Sequence, residues 1–218
     1  MHRAWQSVAQ RDIPSTMHWF RQALTIKPNH AEALAGLGQA LCWQDKVKEG
    51  LSYLNQAAQE LEKAALKKGD IHFVIQLAEQ LHHWGDLETS IKLTQLAVKL
   101  QPNSAAAHNN LALYLSRVNR LQEALPHAYK AHQLAPTDLA CNNLLASLES
   151  RQGLYNEAKI RFEKIAKQSQ NLEQSARAWQ ELATVLDKLG EYEQAFSACE
   201  QGKLLHHGFV EAKNIDAE

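Results

Sequence analysis

Residues 97–102, Ala97-Val98-Lys99-Leu100-Gln101-Pro102, and residues 131–136, Ala131-His132-Gln133-Leu134-Ala135-Pro136, align without a gap, sharing their alanine, leucine and closing proline. An earlier segment, Ala23-Leu24-Thr25-Ile26-Lys27-Pro28, ends the same way. Each proline precedes two or three polar residues and then a fresh apolar-periodic run, so each marks the close of one helix and the approach to the next. A second period runs in step with the first: Gly85 with Ser90, Asn119 with Ala124, Gly153 with Ala158 and Gly190 with Ala195, with Asp45 in the same slot earlier. The leading residue of each pair suits a turn at positive φ, which Gly reaches freely and Asn or Asp tolerates. The residue five further on suits a helix crossing, where a small side chain lets two backbones approach. Phe20, Leu54, Ala128, Phe162 and Cys199 continue one helical face at i+4.

The longer motif is Trp179-x-x-Leu182-Ala183-x-x-Leu186, followed by Gly190, Tyr192, Ala195 and Cys199. Leu34-x-x-Leu37-Gly38-x-x-Leu41 and His108-x-x-Leu111-Ala112-x-x-Leu115 repeat it. This pattern resembles the tetratricopeptide repeat, a helix–turn–helix unit of about 34 residues. The step from Pro102 to Pro136 is one such unit. The resemblance implies an all-α fold, a right-handed superhelical solenoid of antiparallel helix pairs. Residues 1–207 hold about five and a half to six repeats: a partial one at 1–30, then 31–70, 71–104, 105–138, 139–175 and 176–207, with 208–218 a tail or the start of a linker to a further domain. No single pair can bury its apolar face, so the pairs stack around a shared core. The surplus in the second repeat, Ala57 to Leu66, is rich in Ala, Leu, Glu and Lys and predicts a second helix longer by more than one turn. The surplus at Lys167 to Asn171 predicts a polar loop. Pro14 suits the first turn of a helix, whereas Pro126 predicts a late start or a kink.

In the family the first helix of each pair lines a concave groove. Carried over residue by residue, the resemblance places Gln39 and Trp43, His82 and His83, Asn109, Leu113 and Arg117, Asn143, Ser147 and Arg151, and Arg177 and Lys188 on that face. The pairs Asn109-Asn110 and Asn142-Asn143 resemble the asparagine ladders that hold an extended peptide backbone in some of these arrays, since Asn both donates and accepts. Arg117 and Arg151, one repeat apart with Lys188 beyond, form a cationic stripe suited to carboxylates, although a solvated surface explains it as well. Trp43 and His83 hold the same repeat position and together suit a stacking floor, while Trp84 suits packing between helices.

The last repeat, Trp179 to Phe196, and the opening from Ala9 to Leu24 are similar to arrays that precede a sulfotransferase domain in bacterial proteins. Three functional readings follow: a module that binds a protein or peptide in the groove, the regulatory or substrate-presenting arm of a larger enzyme, or a scaffold that self-associates through the solenoid ends. The residues themselves carry no catalytic arrangement. Gly-x-Ser-x-Gly, a dinucleotide fingerprint and a P-loop are all missing, and Gly36 and Gly38 sit in helix, where they serve close packing. Cys42, His72, His82 and His83 lie too far round and along their helices to converge on a metal. No cofactor is expected.

The balance of 23 Lys+Arg against 24 Asp+Glu gives no positive field for nucleic acid or an anionic membrane. No apolar run is long enough to span a bilayer, and Met1 to Gln10 lacks the apolar centre of a secretory signal. Cys42, Cys141 and Cys199 are odd in number and widely spaced, so a reducing compartment, the cytoplasm, is expected.

Overall fold

The computed structural model describes residues 12–64 and 71–215, with side chains to residue 206. Those residues form eleven helices: α1 Ile13–Ile26, α2 Ala31–Trp43, α3 Val47–Lys63, α4 Ile71–His83, α5 Leu87–Leu100, α6 Ala105–Arg117, α7 Leu121–Leu134, α8 Leu139–Arg151, α9 Tyr155–Gln168, α10 Leu172–Lys188 and α11 Tyr192–Ile215. The fold is all-α, built from tetratricopeptide-like helix pairs. Its contacts divide it into two compact units, Met1–Val118 and Asn119–Glu218.

The turns within the pairs adopt the conformation their residues predict. Asp45 (φ 62°), Gly85 (φ 92°), Asn119 (φ 61°), Gly153 (φ 78°) and Gly190 (φ 79°) all lie in the left-handed region. Side-chain caps open several helices. Asp86 accepts from the Thr89 amide at 3.0 Å and Asp138 from the Cys141 amide at 2.8 Å, each satisfying an orphan donor of the first turn.

In the first unit, α2 packs on α1 and α3, and α4 on α3 and α5. Phe20, Leu37 and Leu41 centre the core of its first helices. Gly36 faces the Phe20 ring, and Gly38 meets Gly50 where α2 crosses α3. A Cβ on Gly38 would lie 2.7 Å from the Gly50 carbonyl oxygen, so the predicted close packing is backbone on backbone. In the second unit, α8, α9, α10 and α11 pack in sequence around Phe162, Ile165, Leu182, Val185 and Leu186.

Two helices depart from the sequence reading. α3 ends at Lys63, 17 residues long, while the second helices α5, α7 and α9 have 14, so the extension is under one turn within the described residues; residues 65 and 66 lie outside them. Pro126 sits inside α7, which starts at Leu121 and not late. Proline has no N–H for the Gln122 carbonyl, and flanking packing by the buried Ala124 and Ala128 carries the helix through. The predicted polar loop is present at Ser169 to Asn171, where Asn171 caps α10 through the Gln174 amide at 3.1 Å.

Candidate functional site

The first helices α2, α4 and α6 of the first unit carry most of the predicted groove residues. The Gln80 carboxamide donates to Gln39 at 3.2 Å, tying α4 to α2. Asn110 donates to the Glu79 carboxylate at 2.9 Å, tying α6 to α4. The His82 ring stacks on Tyr114, with centroids 4.4 Å apart and planes 21° from parallel. Burial, then the nearby charges of Arg117 and His83, hold His82 below the ordinary imidazole range. Burial and the Glu79 carboxylate push the Tyr114 phenol up. Two carboxamide oxygens of this face, Gln80 Oε1 and Asn109 Oδ1, are buried and have no hydrogen-bond partner.

Trp43 keeps 41% of its surface exposed. His83 is exposed too, and its ring meets Trp84 edge-on at 4.9 Å. Among the described residues no ring contact joins Trp43 to His83. Leu113 is half-buried and Arg117 exposed.

In the second unit, Asn143 is exposed and Ser147 half-buried on α8. Arg151 reaches Asn119 Oδ1 at 3.1 Å, and Arg177 on α10 is held by Glu173 at 2.7 Å. Lys188 is exposed at the end of α10. Asn142 has another role: its amide donates to the carbonyls of Pro136 (3.0 Å) and Asp138 (2.7 Å) and the side chain is buried. His108, one repeat earlier, makes the same clasp on the Pro102 carbonyl at 3.0 Å. This equivalence fixes the register, with Asn143 matching Asn109 and not Asn110.

A buried polar cluster in the second unit escaped sequence reasoning. Glu149 on α8 has no exposed side-chain surface and accepts from Arg161 Nε of α9 at 3.0 and 2.9 Å. Arg161 Nη1 lies 3.2 Å from His132 Nε2 of α7, and the Glu149 carboxylate helps burial push the Tyr129 phenol up. The available signal was positional. Glu149 stands where the other first helices carry Leu41, Leu81, Leu115 and Leu186, all at most 2% exposed. Arg161 stands where α5 and α11 carry the buried Leu93 and Ala198, and α3 and α7 the half-buried Tyr53 and His127.

Cys42 and Cys141 are buried, and burial raises both thiols, Cys141 to about 11 with help from Asp138, which removes their nucleophilic form at neutral pH. Among the described residues no three His, Cys, Asp or Glu side chains gather as metal ligands, and no helix is long and apolar enough to cross a membrane.

A family model described as Tetratricopeptide repeat matches residues 176–204. No curated protein matches the sequence. Among solved structures, BtubC (BKLC) from P. vanneervenii is similar with a TM-score of 0.71 and 14% identity, covering 95% of this chain and 92% of that one. The pilF protein of Pseudomonas Aeruginosa is similar with a TM-score of 0.66 and 18% identity, covering 98% and 93%. YrrB, described as a TPR protein with an unusual peptide-binding site, has a TM-score of 0.60 and 16% identity, covering 90% and 88%. At these identities the likeness establishes the tetratricopeptide-like fold.

Proposed function

We propose that the chain is a protein-interaction module whose first helices take an extended or helical segment of a partner protein. The observation that supports this most is the orphaned pair Gln80 Oε1 and Asn109 Oδ1 on first helices that are tied together by Gln80–Gln39 and Asn110–Glu79 and also carry the exposed Trp43 and Arg117. A buried acceptor left unpaired is costly, and a rotation of either carboxamide toward the surface would let N–H groups of a bound segment satisfy it. The peptide-binding site of YrrB on the same fold and the even charge balance both favour a protein partner. Three unpaired cysteines fit a cytoplasmic setting.

The test uses the partner recovered with the wild-type chain. Asn109→Ala with Asn143→Ala, and Arg117→Glu with Arg151→Glu, are each expected to weaken its binding about tenfold. Asn109→Ala removes an unpaired oxygen, so the melting temperature should hold or rise. Unchanged binding in both pairs overturns the groove reading.

A second reading, an arm joined to further protein such as a sulfotransferase domain or a second copy, is favoured by α11. Tyr192 and Phe196 are 69% and 67% exposed there, whereas Ile91, at the Phe196 position of α5, is 6% exposed.

A further inference from the structure

The cluster at Glu149 dictates the protonation of one histidine. Arg161 can only donate, so His132 Nε2, 3.2 Å from Arg161 Nη1, must carry the lone pair. The ring hydrogen therefore sits on Nδ1, which is buried and has no partner. The result is a continuous chain of hydrogen bonds, Arg161 to Glu149 and Arg161 to His132. It links α7, α8 and α9 through side chains that all come from outside the groove positions.

We propose that His132 is a pH-sensitive latch of the second unit: as the neutral Nδ1–H tautomer it closes this chain from α7 to α9, and its protonation in mild acid opens it. A proton on Nε2 removes the acceptor for Arg161 and sets two cations face to face. The groups around the ring favour the neutral form. From α9 come the cations of Arg161 and Lys164, and from α8 the Glu149 carboxylate, already held by Arg161. Burial, followed by Arg161 and Lys164, holds His132 below the ordinary imidazole range. A lowered histidine value makes the unfolded chain bind more protons. The latch thus contributes its full stability above the unfolded value and loses it as pH falls through the folded one.

The test compares the full chain with His132→Gln, whose side-chain oxygen can accept from Arg161 without titrating. Between about pH 7.5 and about pH 5 the wild-type melting temperature should fall more steeply than that of His132→Gln, by about 3 °C. His82 titrates in the same direction in both proteins, so only their difference reports the latch. Equal falls overturn the proposal. Long-range proton–nitrogen NMR reads the ring directly, with His132→Gln assigning the signal. An Nδ1–H tautomer and a midpoint below the ordinary value are expected. An Nε2–H tautomer, or a midpoint at or above the ordinary value, overturns it as well.

Discussion

Arg161→Met is expected to lower the unfolding free energy by about 3–5 kcal/mol, the largest loss from any single polar change in the second unit. Arg161 Nε donates to both oxygens of Glu149, whose side chain is wholly buried, and methionine takes that cation and its hydrogen bonds away. The penalty is that of an uncompensated buried charge and not of lost attraction. Replacing both partners should therefore behave differently. Glu149→Leu with Arg161→Leu restores the residues found at Leu81 and Leu93, both fully buried, and is expected to return stability to within about 1 kcal/mol of wild type. Urea unfolding of the three proteins measures this. A double variant as unstable as Arg161→Met would show that packing, and not charge, sets the cost.

Gly50→Val should cost about 3 kcal/mol through overpacking at the crossing of α2 and α3. A Cβ at Gly50 would lie 2.6 Å from the Gly38 carbonyl oxygen and 3.0 Å from the Cys42 amide nitrogen, and would overlap Cys42 Sγ. Two of those three neighbours are backbone and cannot rotate away. Cys42→Ala combined with Gly50→Ala should recover only part of the loss of Gly50→Ala, because trimming the sulfur leaves the carbonyl in place. Thermal melts of these variants give the comparison, and full recovery would place the clash on the sulfur alone.

The turn chemistry was the most legible part of this fold. A residue able to hold positive φ, followed five positions later by a small one, located all five turns from Asp45 to Gly190. Local conformational preference suffices there, because the turn is made within a few consecutive residues. Pro126 and the end of α3 were less legible, since packing decides whether a helix tolerates a proline or where it stops. Asn142 shows the limit for the site. Its composition suited a groove amide, yet the backbone carbonyls of Pro136 and Asp138 claim both of its hydrogens. The Glu149–Arg161 pair spans a helical turn between two elements, and charged residues in a helix usually suggest a solvated face. Only the leucines at equivalent positions mark that site as interior.

The most direct test of partner binding in the groove is a photo-cross-linking residue placed singly at Leu113 on α6, at Ser147 on α8 and at Ile160 on α9, with irradiation in the source cells. Leu113 and Ser147 lie on the first helices and Ile160 is 69% exposed on a second helix. A partner held by the first helices requires an adduct from Leu113 or from Ser147 and none from Ile160. An adduct from Ile160 with none from the other two positions contradicts it.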